Sequence, residues 1–301
     1  MRVGELLNRG GHPFLLLNIS DLPQRAMVTI GYPNGTPGRL EYRLDGGGVF
    51  DLSLAQSVWW RRPQAPDLSS VLDADVYTFT QNEWQEAING LWHLIDAPWM
   101  NPPAKDEVAA RKALQLKVAA ELHLRVPRTL ITSDPEAARA FIVAHGLGRT
   151  IFKTFSCTHA LWRETRLVGQ DELDKIGHVR LAPVIFQEYI PASADVRVTI
   201  VGRKIFAAAI YLQETEYPVD FRMVLGQART EACDLPPQVA ERLLLMMERL
   251  GLVYGAIDLR RTPEGELVFL EVNTAGEFLF VEERTGQPIA AAVADWLAKR
   301  D

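Results

Sequence analysis

Apolar residues recur along this chain in two rhythms. Between Asp73 and Asp96 they return at helical spacing, which predicts one long helix with Pro98 just past its end. The same spacing predicts helices over residues 2–9, 104–123, 236–250 and 288–299. Gly251 follows the fourth of these, where a left-handed residue closes a helix well. Another helix is expected after Thr132-Ser133-Asp134-Pro135, because Ser or Asp can cap its free N–H groups and Pro suits its first turn. Shorter apolar runs predict strands over 27–30, 39–44, 57–62, 129–131, 150–154, 164–167, 184–189, 196–201, 204–211, 256–260 and 267–273. The run HPFLLLN, His12–Asn18, also reads as a buried strand. Gly31–Gly38, Gly202-Arg203 and Thr262-Pro263-Glu264-Gly265 are turn sequences, and Pro63 stops the 57–62 strand.

Mixed helix and strand order, with antiparallel hairpins late in the chain, predicts an α+β protein of three units. The linker Trp99–Pro103 sets one boundary and Pro191 the other, giving residues 1–100, 101–190 and 191–301. The chain has 301 residues, too many for one small core. A formal net charge of -6 argues against a basic face for nucleic acid. Nothing approaches the roughly 18 consecutive apolar residues of a membrane span, and the N-terminus lacks a secretory signal pattern. Cys157 and Cys233 stand far apart without a CxxC spacing, so neither zinc nor a disulfide framework is suggested and a cytoplasmic location is expected. The histidines have no metal spacing, and His159 alone falls near candidate chemistry.

That chemistry begins with Asp258 on one strand and Glu271-Val272-Asn273 on the next. Glu271 and Asn273 are two apart and share a face, and the turn at Thr262–Gly265 can bring Asp258 beside them. Acids are disfavoured in strands of Val, Leu and Phe unless something offsets their burial. Oxygen ligands converging on Mg²⁺ would do so, and a surface hairpin with a charged outer face is the other reading. Lys153 ends an apolar strand before Ser156-Cys157-Thr158, as a phosphate-reaching lysine or a solvated strand end. Gln187-Glu188-Tyr189-Ile190 ends another strand, as an adenine-pairing edge or a plain one. Asp195 and Arg197 put an acid and a base on one strand face; as an exposed ion pair they would contribute only about 0–1 kcal/mol. Arg61 and Arg62 beside Trp59 and Trp60 can bind a peptide or shape the first unit.

In order, Lys112, Lys153, Gln187–Ile190, Asp195-x-Arg197, Asp258 and Glu271-x-Asn273 resemble the ATP-grasp superfamily over about residues 101 to 298. The resemblance implies an ATP-grasp fold with an N-terminal α/β pre-grasp domain, a central domain and a C-terminal antiparallel-sheet domain. It implies that Lys112 and Lys153 contact ATP phosphates, and that Gln187, Glu188, Tyr189 and Ile190 form the adenine hinge. Asp195 takes the ribose position, Asp258, Glu271 and Asn273 hold magnesium, and Arg197 and Arg260 face the phosphate and the acyl phosphate. Segments after Lys153 and across about Glu214–Gln227 are candidate lids.

Within the superfamily the chain resembles the graspetide macrocyclases, the microviridin-type peptide ligases. The stretches that carry this are Ser57–Pro63 (SVWWRRP), Gln115-Leu116 with Val126-Pro127, Tyr254–Arg260 (YGAIDLR), and Glu271–Glu283 (EVNTAGEFLFVEE) leading to Thr285–Pro288. The implied activity joins a carboxylate to an amine or hydroxyl through an acyl phosphate, making ω-ester or ω-amide side-chain crosslinks in a ribosomal precursor peptide. The implied cofactors are ATP and Mg²⁺; the implied partners are that peptide and a second copy of the chain. Such proteins begin with an apolar strand, whereas this chain opens on a helix, so the first strand is expected to be missing. The loop after Lys153 (TFSCTHA) has no glycine, and Glu277 stands where many relatives carry glutamine. Two other readings share the nucleotide residues: a ligase for free amino acids, and a non-catalytic ATP- or peptide-binding scaffold.

Overall fold

The computed structural model describes residues 2–35, 38–155, 165–211 and 228–299. They fall into two units, Met1–Asp106 with Ala290–Asp301, and Glu107–Ile289. Among the described residues no helix is long and apolar enough to cross a membrane.

The first unit opens on helix α1 (Arg2–Arg9). Strands β1 (Ala26–Gly31), β2 (Arg39–Leu44) and β3 (Val49–Asp51) follow as an antiparallel sheet in that order. Strand β4 (Val58–Trp59), helix α2 (Ala74–His93) and strand β5 (Trp99–Met100) form a parallel crossover. Asp73 starts α2 by accepting from the N–H groups of Asp75 and Val76. Leu22, Ala26, Tyr42 and Leu91 fill the core. Trp60 meets Trp92 and Trp99 edge-on there, with centroids 5.5 and 6.3 Å apart, whereas Arg61 lies over Trp59. Trp60 thus shapes the core, whereas Trp59 pairs with Arg61 of the same chain.

His12–Asn18 does not form the expected strand. Phe14, Leu15 and Leu16 are exposed, and the Phe14 ring closes on the backbone of Gly4, where a Cβ would sit 2.5 Å away. An apolar run states a tendency to be buried, but a strand also needs a neighbour for its N–H and C=O groups. The 57–62 strand likewise shrinks to β4.

The second unit begins with α3 (Pro103–Ala109) at the boundary and α4 (Lys112–Glu121), so the single helix expected over 104–123 is broken at Ala110-Arg111. Strands β6 (Thr129–Thr132), β7 (Thr150–Lys153), β8 (Arg166–Leu167) and β9 (Val184–Glu188) make an antiparallel sheet ordered β6-β9-β7-β8. Helix α5 (Pro135–His145) packs Ala138 and Ile142 on it, and α6 (Gln170–Asp174) precedes β9. A five-stranded antiparallel sheet comes next. Its strands are β10 (Ala194–Val201), β11 (Lys204–Tyr211), β12 (Arg229–Ala232), β13 (Tyr254–Arg261) and β14 (Leu267–Asn273), ordered β12-β11-β10-β13-β14. Helix α7 (Pro237–Leu250) ends at left-handed Gly251 and α8 (Leu279–Thr285) follows, whereas α9 (Ile289–Ala298) belongs to the first unit from Ala290 on.

Alternation decides what each face of this sheet meets. Val196, Val198, Ile257 and Leu259 pack against Val118 of α4 and Leu243, Met246 and Met247 of α7. Each such buried side chain contributes about 1.5–3 kcal/mol. The residues between them, Asp195, Arg197, Asp258 and Arg260, point to the opposite face and are buried as well.

Candidate active site

Strand register builds the site from that polar face. Asp195 of β10 stands directly across from Arg260 of β13, and Arg197 across from Asp258. Arg260 grips Asp195 with two hydrogen bonds, Nε to Oδ1 at 2.7 Å and Nη2 to Oδ2 at 3.1 Å. Arg197 donates from Nη1 to Asp258 Oδ1 at 2.6 Å. The sequence put Asp195 and Arg197 on one strand face; the fold gives each a buried partner on the next strand.

Asp258 joins β14 through a β-bulge. Leu259 pairs with Phe269 but Asp258 pairs with Glu271, so Leu270 is the extra residue. Without the bulge Leu270 would oppose Asp258, and Glu271 would oppose Ile257 and face the helices. With it, Glu271 and Asn273 lie on the Asp258 side, and Asn273 Nδ2 donates to Asp258 Oδ2 at 3.0 Å. Lys112, at the start of α4, forms an ion pair with Glu271. Burial is the main cause that raises the Asp258 carboxyl above its ordinary range; Arg197 opposes this, and the charges of Glu271 and Asp195 add to it.

The expected residues therefore gather in three places. Lys112, Arg197, Asp258, Glu271 and Asn273 form one cluster. Asp195 and Arg260 adjoin it, where Arg260 reaches the Ile190 carbonyl at 3.4 Å and lies 5.8 Å from the Tyr189 ring. Lys153 and Gln187 share one face of the four-stranded sheet, because Lys153 opposes Ile185 and Ile151 opposes Gln187. Glu188 opposes Thr150 on the other face. Backbone N–H groups of Glu188 and Tyr189 donate to the carbonyls of Arg128 and Arg149. Gln187 is buried and donates to Thr129 Oγ1 at 2.9 Å, while its Oε1 has no hydrogen-bond partner among the described residues. The loop with Ser156, Cys157, Thr158 and His159, and the second lid candidate at 214–227, lie outside the described residues.

Three supporting residues carried no role in the sequence reading. Gln115 is buried and brackets Val272, accepting from its N–H at 2.9 Å and donating to its C=O at 2.8 Å. Gly276 is needed for closeness: a Cβ there would lie 2.4 Å from the Ala256 Cβ and 2.7 Å from Arg197 Nη2. Glu277 takes part through its carbonyl, which accepts from Arg197 Nη2 at 3.2 Å. A glycine just past an acidic strand was the visible signal for the second; nothing local marks the other two.

Known proteins share this fold. The RimK-like ATP-grasp domain family matches residues 109–297. The macrocyclase MdnC of Microcystis aeruginosa MRC, solved bound with precursor peptide MdnA, is 30% identical with a TM-score of 0.89, covering 99% of this chain and 95% of that one. A RiPP-associated ATP-grasp ligase of Chryseobacterium gregarium, solved with ADP and a leader and core peptide, is 25% identical with a TM-score of 0.87, covering 99% and 93%. The ribosomal protein bS6–L-glutamate ligase of Salmonella paratyphi B is 25% identical over 207 residues, 65% of this chain and 67% of that one. Sequence match and fold agree: the chain belongs to the RimK-like ATP-grasp family and is an ATP-grasp ligase.

Proposed function

We propose that this ligase phosphorylates a side-chain carboxylate of a ribosomal precursor peptide and closes it onto an amine or hydroxyl of the same peptide. The observation that carries the reading is the likeness to a peptide-bound macrocyclase over 99% of this chain, the first unit included. The glutamate-ligase likenesses cover 65% to 78% of this chain.

A carboxylate is a poor electrophile. Its oxygen attacks the γ-phosphorus of ATP, the bond to the departing ADP breaks, and an acyl phosphate results. The peptide's amine or hydroxyl then attacks the acyl carbon, loses its proton, and phosphate leaves. Charge spreads over the moving phosphoryl group, so catalysis rests on position and positive charge. Lys112 and Lys153 are the proposed phosphate contacts. Arg197 and Arg260 lie on the same face of the sheet and supply fixed positive charge. Both are already paired with carboxylates, which holds them rigid and costs no reorganisation during the reaction.

Asp258, Glu271 and Asn273 would hold Mg²⁺. Among the described residues no group of three His, Cys, Asp or Glu side chains gathers, but two carboxylates and a carboxamide suit an ion that completes its shell with phosphate oxygens. Asp258 and Glu271 directly oppose each other, and their mutual repulsion favours a cation between them. The ion, when bound, supplies charge against the phosphates. Buried Gln187 Oε1, an acceptor without a donor, suits an exocyclic amine of adenine. Because the N–H groups of Glu188 and Tyr189 are engaged within the protein, the hinge is assigned to the other polar atoms of Gln187–Ile190. Asp195 in the ribose position would act while held by Arg260.

The second unit is further divided, in this reading, between β9 and β10 near residue 190, where one sheet ends and the next begins. A homodimer and the location in the cell are likewise part of the proposal.

The test is co-expression with each short reading frame encoded beside the gene, followed by intact peptide masses, with Glu271→Ala as control. Loss of one or more water masses, absent in the control, supports the reading; base hydrolysis then separates esters from amides. Gain of an amino-acid residue mass moves the chain to the free-amino-acid ligases, and no change despite ATP binding leaves a scaffold.

A further inference from the structure

Strand β14 is the edge of its sheet, and an edge strand leaves alternate N–H and C=O groups without a ladder partner. At Val272 a side chain fills that role. The Gln115 amide accepts from the Val272 N–H and donates to its C=O, as a neighbouring strand would, and anchors its own position on the Ala109 carbonyl at 2.7 Å. Val272 lies between Glu271 and Asn273.

The bulge at Leu270 makes this contact decisive. An unbulged β14 could still pair with β13, but its residues beyond Phe269 would be turned by half a rotation. Leu270 would then face Asp258, Glu271 and Asn273 would face α4 and α7, and the Val272 N–H and C=O would point at β13. Gln115 would keep only its bond to the Ala109 carbonyl, with its buried oxygen left without the Val272 donor. Its two bonds to Val272 exist only in the bulged register.

We infer that Gln115 is a positioning residue for the Asp258–Glu271–Asn273 cluster, because its amide locks β14 in the bulged register that sets Glu271 and Asn273 beside Asp258. The inference deepens the proposed metal-holding role and rests on it. Gln115 reaches the site only through the strand, so its loss acts on the geometry of the ligands and not on their number.

The test measures Mn²⁺ affinity by electron paramagnetic resonance in the presence of ADP, alongside thermal unfolding, for the full chain. Gln115→Met keeps the side chain's length and removes its hydrogen bonds. Val118→Ala, on the same helix and in the core, controls for simple loss of stability. Gln115→Met is expected to bind Mn²⁺ about tenfold or more weakly than wild type, while Val118→Ala keeps wild-type affinity at a similar loss of Tm. Gln115→Glu, which retains the acceptor for the Val272 N–H, is expected to fall between and serves as the measured variant if Gln115→Met does not fold. Wild-type Mn²⁺ affinity in the Gln115 variants, with Asn273→Ala impaired, overturns the inference alone. Wild-type affinity in Asn273→Ala overturns the metal assignment beneath it.

Discussion

Asp195 and Arg260 are both almost fully buried, and neither charge would tolerate that burial alone. Asp195→Ala takes the bidentate partner from Arg260 and is expected to cost roughly 3–5 kcal/mol, read from urea unfolding. The double variant Asp195→Leu with Arg260→Met removes both charges and is expected to recover much of that stability without recovering activity. A recovery of turnover would mean that the pair serves the fold and nothing else. At Gly276 the limit is space. A methyl group there would overlap the Ala256 Cβ, which is fixed to the backbone of β13, and would crowd the Arg197 guanidinium. Gly276→Ala is expected to destabilise by about 1–3 kcal/mol and to depress turnover further by displacing Arg197 from Asp258; unchanged kinetics would show that Arg197 tolerates displacement.

At the scale of elements, one inserted residue orients β14. Deleting Leu270 is expected to remove the bulge and its local twist while leaving Glu271 opposite Asp258, and to lower ATP turnover by misaligning the two, while circular dichroism keeps the antiparallel signal. Retained turnover would show that the cluster forms without the bulge. The closing turn of α7 is a separate matter. Gly251 has φ 68 and its N–H donates back to the Glu248 and Met247 carbonyls. Gly251→Ala is expected to cost about 1 kcal/mol, seen in thermal unfolding and absent from the kinetics, because α7 packs on the face away from the charged residues.

For the whole molecule, chain order and spatial grouping diverge. Residues 290–301 return to the first unit, where the Ser57 hydroxyl donates to the Leu297 carbonyl at 2.7 Å. Six of the seven tryptophans, Trp59, Trp60, Trp84, Trp92, Trp99 and Trp296, fall in that unit, so tryptophan fluorescence reports chiefly on it. Removing residues 290–301 is expected to lower the midpoint of the fluorescence-detected transition in urea. An unchanged midpoint would mean that the first unit holds together without its C-terminal segment.

Much of this protein follows from local sequence. Helix α7, the β10–β11 hairpin and the strands flanking Thr262–Gly265 were legible because a helix or hairpin depends on neighbours a few residues away. The acidic set was legible for the same reason, since Asp258 and Glu271 lie on strands joined by one short turn. Their partners were not. Asp195 meets Arg260, and Arg197 meets Asp258, across strands some sixty residues apart, and nothing in either segment states that register. The same holds for Gln115 under Val272, for the space at Gly276 and for the bulge at Leu270, each decided by how a helix or strand seats on the rest of the sheet. His12–Asn18 is the converse case, apolar enough for a strand yet without an edge to pair with. The sequence by itself determined which residues carry the chemistry. The tertiary structure alone decided which of them face one another, because register is the sum of many distant contacts and no single segment contains it.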